Sequence, residues 1–459
     1  MPIAPRLRRH LAAALPVLIA VLLTACSTDK YPNSVFTNHT EFNRDVGYLF
    51  KILFWLGGFV FVFVEGILLY TIFRYRRRSE DDRPEHVHGN TTLEILWTAI
   101  PALILAFIAV PTVRTIFKTQ AVASASALQV EVIGHQWWWE FRYPQYGFTT
   151  ANELYLPIGR TVNFSLKSVD VIHSFSIPRL AGKRDLIANR TNYLWFTPDS
   201  VGEQAWNGYC AEFCGASHAN MHFRVFTVTP ANFESWAAHQ KTPAAMFAVA
   251  TAAPVAAVPP VVVDSAKARQ DTTVPGRATL SSKPTAGAGQ MGPSTTPMPA
   301  AHDMAAMTAA SGGVQQAGYT NFPHDKIPGF VVPQTPVPDG LTYNESLKGD
   351  AQRGYDLTSK QMAGGCIGCH MINGNPVMMG VVGPNLTHIG SRATIAGGIF
   401  PNDTKHLALW IKNARHMKPG VIMPTLGVGQ YDPVMKTTLK AGLTDEQIAD
   451  IVAYLQALK

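Results

Sequence analysis

Five cysteines, Cys26, Cys210, Cys214, Cys366 and Cys369, fall into one lone thiol and two close pairs, and each group implies its own chemistry. The first pair lies in Cys210-Ala-Glu212-Phe-Cys214-Gly-Ala-Ser-His218-Ala-Asn-Met221, with His173 well upstream. Thiolate, imidazole and thioether on one loop make a soft donor set, and soft sulfur with imidazole selects copper among biological metals. Two cysteines on one tight loop can turn both sulfurs toward one point. There two thiolates bridge two metal ions and leave one imidazole for each, while Met221 and a backbone carbonyl complete the shells. A disulfide between Cys210 and Cys214, formed in an oxidising compartment, would leave His173, His218 and Met221 without a role. Zinc has little use for a thioether. The second pair belongs to Cys366-Ile-Gly-Cys369-His370, the c-type haem attachment pentad. Both thiols form thioethers with the haem vinyls, and the next residue, His370, is placed as the proximal ligand. A zinc knuckle would need two more ligands nearby, and the sequence offers none.

These groups must be held outside a membrane. Only 15% of the 459 residues are charged, against about a quarter in ordinary soluble chains. The length suits about three domains. Residues 1–25 read as an export signal: Arg6, Arg8 and Arg9 precede a short apolar run, Leu11 to Leu23. The run ends in Leu23-Thr24-Ala25-Cys26, which resembles the lipobox of bacterial lipoproteins and implies a lipid on Cys26; an uncleaved signal anchor is the alternative. In the membrane-anchored region, 26–120, two apolar stretches at about 49–73 and 93–117 are long enough to cross a hydrocarbon core of about 30 Å. Arg74, Arg76, Arg77 and Arg78 follow the first, which puts that end in the cytoplasm and everything after Lys118 on the outer face. The net charge is +7, but this basic run abuts an apolar helix and no basic stripe carries interleaved aromatics, so nucleic acid is not an expected partner. Glu65 lies inside the first stretch, as a functional carboxylate or as one paired at a subunit interface.

Beyond the hairpin, residues 121–238 change to short β-rich runs such as Leu128–Ile133, Thr161–Ser165, Tyr193–Phe196 and Phe223–Val228. Turn residues separate them, which predicts a Greek-key sandwich or barrel. Residues 239–343 are rich in Ala, Pro and Thr and read as a linker, with a Pro-rich part, 316–340, suited to packing on a neighbour. Residues 344–459 become helical and compact. Thr444 and Gln447 form a capping box, and Ile448, Ile451, Val452, Leu455 and Leu458 recur at helical spacing.

At the copper motif the chain resembles subunit II of the cytochrome c oxidases over roughly residues 40–230, and the donor set resembles their dinuclear CuA centre. Asp170-Val-Ile-His173-Ser-Phe matches that family's first copper-ligand segment. The resemblance implies a cupredoxin-like domain in which His173, Cys210, Cys214, His218, Met221 and the Glu212 carbonyl bind copper. It also implies that the Glu212 carboxylate reaches a magnesium ion at the interface with subunit I. Gly134-His135-Gln136-Trp137-Trp138-Trp139 looks like the family's aromatic segment, where the residue matching Trp137 receives electrons at the surface; a core aromatic cluster is the plainer reading. Glu94-Ile-Leu-Trp97-Thr resembles the segment whose glutamate opens a proton path into subunit I, although an acid also suits a helix N-terminus. Many relatives have Pro-Gly where Ala188-Asn189 stands.

The C-terminal part, about residues 345–459, resembles the small class I cytochromes c. Met423-Pro424 is similar to their axial Met-Pro, with Met417 and His416 as rivals, and a thioether ligand raises the potential. Gly383-Pro384-Asn385-Leu386 resembles the segment whose proline packs by the proximal histidine.

Neither membrane stretch contains histidine, so oxygen chemistry must sit on a partner. The resemblance implies a relay: haem c to CuA, then to a haem–copper subunit I that reduces oxygen to water and pumps protons in the bacterial cytoplasmic (inner) membrane. Further oxidase subunits would complete the complex, with cytochrome c or a quinol–cytochrome c reductase as donor. The same sites would serve a CuA-type nitric oxide reductase. A copper-carrying lipoprotein without enzymatic activity would need neither the haem domain nor the hairpin.

Overall fold

The structure, a computed structural model, describes residues 16, 31, 33–37, 39–77, 79, 88–121, 123–199, 202–247, 322–323, 327, 335–361 and 363–459. The export signal, Cys26, Arg78 and most of the linker lie outside the described residues.

Two long apolar helices come first, α1 (Glu41–Arg74) and α2 (Thr91–Gln120). Both overrun the stretches read from hydropathy, because caps rather than apolar composition set their ends. Thr40 accepts the Asn43 N–H and Asn90 accepts the Leu93 N–H. Side chains along both helices face outward, as those of a bilayer span do. The outer end of α1 is fastened to the next domain. Asn43 Nδ2 donates to Pro178 O at 2.9 Å, Thr197 N donates to Glu41 Oε2 at 3.0 Å, and Arg44 pairs with Asp199.

The copper-motif domain is a sandwich of two five-stranded sheets. The strands are β1 (Leu128–His135), β2 (Trp138–Tyr143), β3 (Phe148–Ala151), β4 (Glu153–Pro157), β5 (Val162–Ser168), β6 (His173–Ile177), β7 (Ala181–Leu186), β8 (Asn192–Phe196), β9 (Gln204–Cys210) and β10 (His222–Val228). They are ordered β3-β2-β1-β5-β8 and β4-β10-β9-β6-β7. The β1–β5 and β4–β10 pairs are parallel and the remaining ladders antiparallel. Alternation in β1 and β5 sends Leu128, Val130, Val132, Val162, Phe164 and Leu166 inward, where they are fully buried. Phe175 and Phe223 stack at 4.9 Å between the sheets, and Gly208 leaves the room that the Phe223 ring occupies. Asn189 takes φ 61°, a left-handed conformation that Asn tolerates. Helix α3 (Pro230–Gln240) closes one end with Phe233 and Trp236.

The haem-motif domain has α4 (Ala351–Tyr355), continued by a wider turn through Lys360, then α5 (Thr404–Met417) and α6 (Asp445–Ala457). The Thr444–Gln447 capping box starts α6 as its sequence requires. Helices α4 and α6 cross tightly: a Cβ at Gly349 or Gly354 would strike the α6 backbone at 1.9 Å or 2.1 Å. Both described ends of the span read as linker are ordered, because their few apolar residues find cores. Ala244 at one end and Leu341 at the other join the haem-domain core, and Phe322 between them packs on Phe226 at 5.0 Å.

Candidate functional site

The thiolate loop leaves β9 at Cys210, turns back through Gly215 in a left-handed conformation, and enters β10 after Met221. This geometry brings the four side chains together. The sulfurs of Cys210 and Cys214 lie 3.7 Å apart, far beyond a disulfide bond of about 2.0 Å. Cys214 Sγ is 3.6 Å from His218 Nδ1 and 3.8 Å from Met221 Sδ. Cys210 Sγ is 3.9 Å from His173 Nδ1 and 3.2 Å from the Glu212 carbonyl oxygen. The ligand atoms of His173, Cys210 and Cys214 all lie within 4.8 Å of one another. Each imidazole thus faces a different sulfur, while the thioether and the carbonyl flank the pair. That donor set of two thiols, two imidazoles, a thioether and a carbonyl fits copper.

Neighbouring groups hold this donor set. Asp170 Oδ1 accepts from His173 Nε2 at 2.7 Å, which turns Nδ1 toward the sulfurs, as outer carboxylates orient ligating histidines. Burial alone would lower the His173 pKa, but the Asp170 and Cys210 contacts outweigh it and raise it. Cys214 hydrogen-bonds to Cys210 and holds that thiol far below its ordinary range, and the same contact drives Cys214 upward. Gly134 is obligatory beside this site, because a Cβ there would fall 2.7 Å from His173 Cδ2. The Glu212 carboxylate accepts the Phe213 N–H at 3.2 Å.

The pentad lies at the floor of a cavity of about 320 Å³. Cys366, Cys369, His370, Met423 and Pro424 all line it. His370 Nδ1 donates to the Pro384 carbonyl at 2.8 Å, leaving Nε2 for a metal. Burial lowers the His370 pKa and keeps the ring neutral, as ligation requires. A Cβ on Gly383 would come within 2.6 Å of His370 Cε1, so the cradle admits only glycine there. The walls are mainly apolar, with Leu386, Leu407, Ile411 and Leu455 among them. Two thiols, a free imidazole nitrogen and a thioether around an apolar slot fit a covalently held haem. Met417 does not reach this cavity; it is 4% exposed in the core of the domain, which separates it from Met423.

The two sites adjoin. Trp137 is 9% exposed, and its Nε1 donates to the Cys214 carbonyl at 2.9 Å. Gln136 Nε2 donates to the same oxygen at 2.8 Å. Trp137, Gln136 and Trp138 also line the haem cavity, so the haem domain covers the ring that the sequence placed at a surface. Glu94 stands apart, in the first turn of α2 at the opposite end of the hairpin. Sequence reasoning missed the residues that join the domains. Glu153 accepts from Ala393 N at 2.7 Å and Thr394 N at 3.1 Å, Arg224 Nη2 donates to Gly398 O at 2.6 Å, and Ser217 bonds the Pro419 carbonyl. Buried ionic residues such as these carry no local signal, because their partners lie over a hundred residues away.

Comparison with known proteins agrees with this geometry. Residues 37–115 match the transmembrane domain of cytochrome c oxidase subunit II, residues 147–228 its periplasmic domain, and residues 351–459 the cytochrome c family. Cytochrome c oxidase subunit 2 of Alkalihalophilus pseudofirmus is 26% identical over 406 residues, 87% of this chain and 83% of the relative. The chain spans about half the length of two Bacillus relatives of the same description, 49% and 53%. The solved periplasmic domain of subunit II of Bradyrhizobium japonicum cytochrome oxidase is 27% identical, covers 26% of this chain and 97% of that one, and has a TM-score of 0.25. Cytochrome c oxidase subunit 2 of Synechocystis is 32% identical over 238 residues, which cover 41% of this chain and 70% of the relative. With the hairpin and the periplasmic domain matched in their family order, identity at that coverage means that this chain belongs to the cytochrome c oxidase subunit II family and carries a cytochrome c domain after it.

Proposed function

We propose that this chain receives electrons for an aerobic respiratory cytochrome c oxidase: through its own haem c, then the dinuclear copper centre, then a haem–copper subunit I that reduces oxygen to water and pumps protons. The observation that carries the reading is the shared position of Trp137, which donates to the thiolate loop and walls the haem cavity. In this reading Cys366 and Cys369 would tether the haem, and His370 and Met423 would hold its iron. His173, Cys210, Cys214, His218, Met221 and the Glu212 carbonyl hold the copper. When bound, both groups supply one-electron redox chemistry; the residues position them and exclude water. Trp137 supplies the passage between them. Glu94 would open a proton path on the cytoplasmic side, and the Glu212 carboxylate would hold magnesium at the subunit I contact. A lipid on Cys26 would anchor the chain on the outer face of the bacterial inner membrane. Cytochrome c or a quinol–cytochrome c reductase would be the donor.

The test is a reduced-minus-oxidised spectrum of the complex purified through this chain from native membranes, with oxygen uptake measured alongside. Haem c together with haem a and oxygen uptake is the expected result. Haem c with haem b alone, and nitric oxide consumption in place of oxygen uptake, would make the chain the corresponding subunit of a nitric oxide reductase. Absence of any second haem protein would overturn the subunit reading.

A further inference from the structure

The relay needs its two centres held in register, and a single buried lysine sits where that must happen. Lys418 follows α5 on the loop that leads to Met423. It is 1% exposed, and its Nζ donates to the Trp137 carbonyl at 2.7 Å and the Ala396 carbonyl at 2.9 Å. A buried amine that gives up water must find partners, and here two main-chain carbonyls accept from it.

The socket around it is equally specific. Ala396, Gly397 and Gly398 are consecutive residues in the left-handed region, with φ of 57°, 78° and 80°. Their carbonyls are all engaged at the domain boundary: Ala396 O by Lys418, Gly397 O by the His222 N–H at 2.9 Å, and Gly398 O by Arg224. A Cβ at Gly397 would lie 2.7 Å from Lys418 Nζ and 3.3 Å from the Trp137 carbonyl. The loop then continues onto the thiolate loop itself. Pro419 O accepts from Ser217, and a Cβ at Gly420 would meet Ala216 Cβ and the Trp137 ring at 3.0 Å.

We propose that Lys418 is a positioning residue for haem-to-copper electron transfer, pinning the loop that bears Met423 to the main chain of Trp137. The inference rests on the relay reading above. The transfer is of one electron, lost by the haem iron and gained by the copper pair, and Lys418 exchanges neither proton nor electron. Its part is to keep the aromatic ring that donates to Cys214 against the haem cavity.

The test uses the whole complex from membranes, with Lys418→Met and Gly397→Ala as separate variants. Met has similar length without the donor, and the second change disturbs the same contact from the socket side, so it decides the matter if Lys418→Met does not accumulate. Two readouts are taken. One is hydrogen exchange of the segments 134–139 and 396–398. The other is the single-turnover rate at which an electron placed on haem c by a photoreductant reaches copper. Losing both buried hydrogen bonds should open the docked state about tenfold or more. Exchange in both segments should rise and the transfer rate fall accordingly, while haem and copper absorption stay as in the parent. Unchanged exchange and rate in a variant that folds would overturn the proposal. A parent complex with no haem-to-copper transfer would instead overturn the relay; the exchange readout then judges the lysine contact by itself.

Discussion

Replacing Glu153 by Gln should remove a pH dependence from the stability of the domain boundary. The carboxylate is 4% exposed at the start of β4 and accepts two backbone N–H groups of the haem domain. Burial pushes its pKa up to about 7, against the opposing pull of Arg392, the two N–H donors and Arg224. Desolvation outweighs pairing here, so the neutral acid is the better tolerated form. The folded-state pKa lies above the ordinary 4.5 of the unfolded chain. The stabilisation is therefore complete below pH 4.5 and is lost as the pH rises through 7. A displacement of this size corresponds to roughly 3 kcal/mol. Gln keeps the acceptor oxygen and cannot ionise, so it mimics the protonated acid at every pH. Urea unfolding of the full chain with haem and copper bound, followed at the haem band at about pH 5 and about pH 8, measures the effect. The parent should lose roughly 2–3 kcal/mol relative to Glu153→Gln between the two. Parallel pH curves would refute the argument. A parent that gained on the variant toward pH 8 would do so more sharply, since Arg224 and Arg392 would then hold the carboxylate ionised.

Other outcomes follow from the two centres and the sandwich. Cys214→Ser removes one bridging sulfur and should abolish the dinuclear copper spectrum, with copper analysis on the purified chain falling below two per molecule. Met423→Leu should leave the haem covalently attached but lower its potential in a redox titration, because the thioether is lost; Met417→Leu, in the core, should leave the potential near that of the parent. Gly208→Ala places a Cβ 2.2 Å from the Phe223 ring and should destabilise the sandwich by about 1–3 kcal/mol in thermal unfolding.

Much of this was legible in the sequence because it is local. The haem pentad, the thiolate loop and the Thr444–Gln447 box each lie within a dozen residues, and their chemistry follows from spacing alone. Strands β1, β5, β8 and β10 match the apolar runs to within three residues at either end. Helix ends were less legible, since Thr40 starts α1 eight residues before the hydrophobic stretch and Asn90 starts α2 two residues before its own. What joins the domains was not legible at all. Lys418, Glu153 and Arg224 read as ordinary surface charges in a one-dimensional chain, and only the fold brings each to a carbonyl or amide far away in sequence. Trp137 shows the same limit: the aromatic segment marks it, but the domain that covers it lies some 280 residues later.

The first helix has a mechanical consequence. Its 34 residues measure about 51 Å, against a hydrocarbon thickness of about 30 Å. The surplus on the outer side is no loose stalk, because Glu41, Asn43 and Arg44 clasp the sandwich and Lys118 braces α2 against Asp45. The sandwich is thus mounted on a stiff post that sets both its altitude and its bearing above the lipid. Adding a residue to a coil would merely lengthen a tether. Adding one to the post between Glu41 and Leu49 would swing the thiolate loop by about 100° around the membrane normal and lift it about 1.5 Å, aiming it away from whatever it faces.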